Sequence, residues 1–168
     1  RIIKVADNIW FVGTANQDQS TIAISDEVYD RAQVVSLNKK GKNEGDYSAV
    51  AKRSVSVDDL QALFEDAITY FKGENEVISR LDKLDDVLIE YFDVSFGNRI
   101  VTQTVDFAAV FEAAGGDITT ALDYQISSKI LRKVISSDDE EAFIKLLDAT
   151  KDYPETQRLI HKRIKELE

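Results

Sequence analysis

The stretch "SVDDLQALFEDAITYFKG", Ser56 to Gly73, decides the fold class of this chain. Ser56 is a favourable N-cap, since its hydroxyl can accept from a free N–H of the first turn, and Asp58 and Asp59 set negative charge against the positive end of the helix dipole. Leu60, Leu63, Phe64, Ala67, Ile68 and Phe71 then recur at the three-and-four spacing that puts them on one face, and Gly73 is a natural stop. This is an amphipathic helix, and it needs a partner.

The same period runs on toward the C-terminal end. Val77, Leu81, Leu84, Leu88 and Tyr91 form a second stripe, and Ile100, Thr104, Phe107 and Phe111 a third that Gly115-Gly116 stops. Asp117 opens a fourth helix through Leu122, Ile126, Ile130 and Leu131. The segment "SSDDEEAFIKLLDAT" supplies another, capped near Ser137, and Pro154 fits the first turn of a last helix ending at Glu168. No fixed-period repeat links these helices.

Toward the N-terminal end the pattern changes. "IWFV" (Ile9 to Val12) and "QVVSL" (Gln33 to Leu37) are short β-rich runs separated by "SDEVYDRA", which reads as a turn or two of helix. Ile9 to Val12 has the character of an interior parallel strand, with Trp10 as core. The polar run Gly13, Thr14, Ala15, Asn16, Gln17, Asp18 sits at its carboxyl end, where open α/β sheets bind ligands. Residues 38–55 then read as a linker rich in Lys, Gly, Asn and Ser, in which Lys39, Lys40 and Lys42 are most simply a solvated run.

Composition limits the function classes. The chain has 168 residues, 43% hydrophobic and 31% charged, with a formal net charge of -10. That describes a soluble, acidic domain with a real core, and one that is not drawn to nucleic-acid phosphate as a whole. Without cysteine there is no thiolate metal site, and the single histidine, His161, cannot build a histidine-rich one. No apolar run reaches membrane-spanning length, so a cytoplasmic location without membrane contact is expected. The absence of methionine and the start at Arg1 point to an internal piece of a longer protein.

Among nucleotide motifs, a P-loop is missing: Gly41-Lys42 has no glycine five residues earlier and no Ser or Thr after it. "TIAISDE" imitates the strand-then-acid-pair pattern that holds magnesium, but Ser25 interrupts it. "NIWFVGTANQDQSTIAISDEVYDRAQVVSL" nevertheless resembles the second half of an AAA+ nucleotidase core, nearest the McrB-related branch with its MoxR-like relatives. There a "GT-x-N" motif ends a central strand, and a short helix precedes "DRA" and the final strand. "SFGNRIVTQTVDFAAVFEAAGG" and "ALDYQISSKILRKV" resemble the family's helical lid. The likeness covers Asn8 to Leu37 and Phe96 to Val134; from Lys39 to Tyr91 it extends only to helical character.

The resemblance implies roles residue by residue. Asn16 becomes the sensor-1 amide that orients the attacking water, with Thr14 of the same motif at the nucleotide, and Arg31 becomes an arginine finger reaching a neighbouring subunit's site. Arg99 becomes the sensor-2 arginine of a lid helix. Each has a structural rival: Asn16 capping a turn, Arg31 pairing with Asp26 or Asp30, Arg99 pairing with Asp93 or Asp106. Lys129, Arg132 and Lys133 are expected as last-turn cations, and His161 as exposed.

The fold expected is therefore mainly α, a helical AAA+ lid bundle (56–168) behind a two-strand α/β remnant of the nucleotide-binding core (1–37). The resemblance implies ATP or GTP with Mg2+ as cofactor of the full-length protein, none held tightly by this piece, and a homo-oligomeric ring acting on a protein or nucleic-acid target. Lacking the P-loop and the strands around it, residues 1 to about 37 are expected to repack locally or pair with another copy, while the helices fold as a unit. A noncatalytic helical protein-interaction module is the reading from another class. A complete small α/β enzyme working through Asp and Glu is a third, without convergent carboxylates in a recognisable frame.

Overall fold

The helix that opens at Ser56 forms as its sequence dictates. In the computed structural model, which describes residues 5, 6, 9–14, 28, 31–35 and 54–168, Ser56 Oγ accepts from Asp59 N–H at 3.0 Å and helix α1 runs Val57–Tyr70. Five α-helices follow: α2 (Glu74–Phe92), α3 (Asn98–Ala113), α4 (Ile118–Gln125), α5 (Glu140–Ala149) and α6 (Pro154–Leu167). The described part of the chain is mainly helical.

Glycines set two of the corners. Gly73 lies beyond the end of α1 and is the N-cap residue of α2; a Cβ there would meet Ile118 Cδ1 at 2.5 Å and the Phe71 ring at 2.7 Å, so a side chain at this corner would force Ile118 and Phe71 to shift. Gly115 adopts φ +92°, and Gly116 N–H returns to Phe111 O at 2.9 Å, closing α3 with a left-handed turn that glycine makes at little cost. Asp117 then caps α4, accepting from Thr120 N–H at 2.9 Å and Thr120 Oγ1 at 2.7 Å.

The buried stripe of α2, Val77, Leu81, Leu84 and Leu88, is the spine of the core. α3 and α5 pack on it, α4 lies across α3, and α6 closes the unit against α4 and α5. Phe143 of α5 is fully buried and meets the Phe92 ring edge-on at 5.2 Å. Leu122, Ile130, Leu146 and Ile160 complete one continuous cluster, so the helices fold around a single core.

Two local expectations need correction. The fourth helix is not uniform: regular α-structure stops at Gln125, a π-turn takes Ile126–Ile130, and a 3₁₀ turn takes Leu131–Lys133. α5 is capped by Asp139, which accepts from Ala142 N–H at 2.9 Å, while Ser137 Oγ accepts from Asp139 N–H at 3.2 Å just outside. Lys129 stands in the last turn of the π-turn, as expected of a last-turn cation, but it is only 4% exposed and donates to Gln103 Oε1 at 2.7 Å. Phe107 and Phe111 are half-buried and stack in line with Tyr124, with centroids 5.7 and 5.5 Å apart.

The two-strand remnant is not seen among the described residues. Residues 9–14 and 33–35 are irregular, and Trp10, expected in a core, is 72% exposed, with Phe11 and Val12 more so. An apolar run becomes an interior strand only where neighbouring strands satisfy its backbone groups, and no such ladder occurs among the described residues. Asn16, Asp26, Asp30 and the Lys39, Lys40 and Lys42 run lie outside the described residues. No described helix is long and apolar enough to cross a membrane.

Candidate functional site

A concavity lies where the segment 33–35 crosses the irregular end of α4 beside α6. Tyr124, held flat by its stack on Phe107, donates its hydroxyl to Val34 O at 2.7 Å, and Gln125 Nε2 reaches Gln33 Oε1 at 3.4 Å. Gln125 is buried, and its own Oε1 has no hydrogen-bond partner among the described residues. The π-turn follows at once. Ser127 and Ser128 both donate to Tyr124 O, at 3.1 and 2.6 Å, and hold the widened turn in place.

The resulting groove encloses about 520 Å3. Leu131, Ile135 and Leu159 give it an apolar floor, and Val34 and Val35 form one wall. Its rim carries Arg132, Arg158, Lys162 and Arg163 against Glu155 and Glu166, a cationic excess on a chain whose net charge is -10. Spacings of four along α6 align Arg158, Lys162 and Glu166 on one side of the helix.

The rim charges are organised by neighbours. Arg158 grips Glu155 through two hydrogen bonds of 2.8 and 2.6 Å, and the hydrogen bond from Arg158 is the main reason the Glu155 carboxyl titrates below its usual range. Arg163 donates to Ser137 O at 2.8 Å and to Asp138 Oδ1 at 2.8 Å, tying α6 to the turn ahead of α5. Lys162 stands 3.7 Å from Glu166 with both side chains exposed, an arrangement that holds little energy.

α6 is positioned by a residue that sequence reasoning missed. Asp123, 8% exposed, accepts from Glu155 N–H, Thr156 N–H and Thr156 Oγ1 at 2.8, 2.8 and 2.7 Å. It thus caps the first turn of α6 from α4, where Tyr153 offers no side-chain cap. Nearby, Arg80 bonds Thr119 Oγ1 at 2.9 Å and Glu76 at 2.6 Å. Tyr153 titrates above its ordinary value because it is buried, with Arg80 opposing the shift.

The residues nominated from sequence lie as follows. Thr14 is exposed in the irregular segment 9–14, Arg31 is exposed two residues ahead of Gln33, and Arg99 is exposed in the first turn of α3. Among the described residues no hydrogen bond or ion pair joins Thr14 to Arg99, and Arg99 makes no ion pair with Asp93 or Asp106. His161 is exposed on α6. No cluster of three or more His, Cys, Asp or Glu among the described residues could hold a metal ion. The groove thus joins an apolar floor to a charged rim.

Residues 51–168 match the family model described as "Domain of unknown function (DUF8727)", a span that takes in α1 to α6 and stops short of the 33–35 segment. No curated protein and no solved structure matches the chain.

Proposed function

The chain belongs to the DUF8727 family, and on the order of its sequence motifs we propose that it is the C-terminal part of an AAA+ nucleoside-triphosphatase module whose helices α1 to α6 are the lid. The observation that carries the reading is an order of parts. "GTAN", then "DRA", then "QVV" precede a closed helical unit in the chain, and the segment directly after Arg31 is bonded to that unit through Tyr124 and Gln125. Such a connection lets a displacement of Arg31 pull on the lid.

In the assembled, cytoplasmic protein, Asn16 orients the water and Thr14 lies against the nucleotide. Arg31 neutralises charge developing in phosphoryl transfer in a neighbouring subunit, and Arg99 ties lid position to nucleotide state. Arg31 and Arg99 are exposed cations, the right chemistry for phosphate oxygens. ATP or GTP with Mg2+ supplies the phosphoryl group; the P-loop and acid pair that would hold it are not in these residues. A finger that serves the next subunit need not meet Arg99 of its own chain. The energy released goes to remodelling a protein or nucleic-acid target.

The test is nucleotide hydrolysis by the full-length protein, wild type against Arg31→Ala. Loss of turnover with retained nucleotide binding supports the finger; unchanged turnover removes it. A noncatalytic helical interaction module is the second reading. The uncovered apolar residues of α1 favour it, and under it Arg31 is dispensable.

A further inference from the structure

The groove beside α6 is built by one part of the chain and entered by another. Its helical residues, from Tyr124 to Glu166, all lie within 51–168, the span of the family, and their helices share one core. Val34 and Val35 lie outside that span and reach the groove from a segment without regular secondary structure. They stand where an occupant stands, on a frame that closes around its core without them.

The way this segment is held shows what the groove recognises. Tyr124 donates its hydroxyl to the main-chain carbonyl of Val34 at 2.7 Å. A helix bonds its interior carbonyls to its own amides, so a free carbonyl at this point belongs to a non-helical chain. Gln125, 1% exposed, extends Nε2 to Gln33 Oε1 at 3.4 Å, and its Oε1 has no hydrogen-bond partner among the described residues. A side-chain amide can pair with both the C=O and the N–H of a peptide unit, yet here only one end is answered, and at long range. A buried acceptor left unmet is costly, so the segment fits its seat imperfectly. Val34 is half-buried and Val35 is 68% exposed, and about 520 Å3 stays open with both in place, beside Leu131, Ile135 and Leu159. That is the size of a ligand site, for which roughly 300–1,000 Å3 is usual.

We propose that the groove between the π-turn and α6 is a receptor for a non-helical peptide of another protein carrying β-branched apolar residues, and that Gln33–Val35 is a plug of the same chemistry held in its place. The peptide brings branched side chains to the aliphatic floor, a carbonyl to Tyr124 and an N–H to Gln125 Oε1. The rim ion pairs stay as they are, and no charge on the peptide is needed. A second copy would bring only the same plug, which leaves Gln125 unmet again, so exchange between copies gains nothing. The proposal does not rest on the nucleotide reading.

The experiment is fluorescence anisotropy of a labelled "RAQVVSL" peptide, the sequence of Arg31 to Leu37, titrated with the whole chain. Val34→Asp with Val35→Asp withdraws the plug, and far-UV circular dichroism verifies that the helices remain; Val34→Gly with Val35→Gly serves if they do not. The unplugged chain is expected to bind the peptide saturably, and the wild type to bind it at least about tenfold more weakly, because the tethered plug competes. Adding Tyr124→Phe to the unplugged chain should weaken binding about twofold to tenfold, the worth of one hydrogen bond. The peptide with both valines replaced by aspartate should not bind. No saturable binding to the unplugged chain, equal binding by the wild type, indifference to Tyr124→Phe, or equal binding of the aspartate peptide would each overturn the proposal. So would sedimentation showing a wild-type dimer that unplugging dissolves, since the occupant would then be a second copy. Arg31→Ala leaves Val34, Tyr124 and Gln125 in the chain, so failure of the nucleotide reading is told apart from failure of this one.

Discussion

Replacing Asp123 by Ala removes the cap of a helix that the carboxylate does not belong to. Thr156 is fully buried, so its N–H and hydroxyl have no water to turn to, and Glu155 N–H is left in a partly buried position. Loss of an N-cap costs about 0.5–2 kcal/mol, and stranding a buried donor costs about 1–3 kcal/mol, with overlap between the two. We expect Asp123→Ala to destabilise by about 2–4 kcal/mol, read as a lower midpoint of urea unfolding at unchanged slope. Thr156→Val keeps the shape and the backbone bond and loses only the hydroxyl, so it should cost about 1 kcal/mol. In the double variant the hydroxyl is already partnerless, and the two costs should add to less than their sum. An Asp123→Ala cost below about 0.5 kcal/mol, or strict additivity with Thr156→Val, would refute the remote cap.

Phe143→Ala empties the centre of the core against Phe92 and should cost about 3–5 kcal/mol in the same unfolding measurement, with a site on the surface giving far less. Tyr124→Phe keeps the stack on Phe107 but loses the 2.7 Å bond to Val34 O; we expect about 0.5–1.5 kcal/mol and faster amide exchange or proteolysis confined to residues 33–35. Asp117 titrates below its ordinary value of 3.8, chiefly because Thr120 donates to it. A depressed folded value means its contribution is present above that ordinary value and is lost as pH falls through the lower folded one. Asp117→Ala should therefore flatten the acid end of the stability profile and leave neutral-to-basic dependence unchanged.

Much of the helical unit is legible in the sequence because its signals are local. Ser56, Asp117, Gly115-Gly116 and Pro154 each act within a turn of where they stand, and the Val77, Leu81, Leu84, Leu88 stripe depends only on helical period. What escapes is set by distant contacts. Asp123 is an acid within an apolar run, and its partners lie 32 and 33 residues on, so no short window reveals a cap. The π-turn after Gln125 has no composition of its own, and Lys129 is buried although lysine at a helix end ordinarily faces water. The IWFV run has β character, but strand formation is a property of a pair, and among the described residues no second strand meets it.

The site shows the same division. The α6 groove is assembled from segment 33–35, the π-turn and α6, so its apolar floor and cationic rim exist only once the chain has folded. Thr14, Arg31 and Arg99 come from motif order, a feature of the sequence and not of the described fold. Asn16 lies outside the described residues, so its part in the reading rests on the GTAN motif.

The central claim is that Arg31 acts in a neighbouring subunit's nucleotide site. The measurement is steady-state hydrolysis by the full-length protein with wild-type subunits mixed into an excess of Arg31→Ala subunits. The account predicts that the variant alone binds nucleotide without turning it over and that mixing suppresses wild-type activity below its share of the subunits. Turnover by the variant at the wild-type rate, or activity in the mixture that simply follows the wild-type fraction, would contradict it.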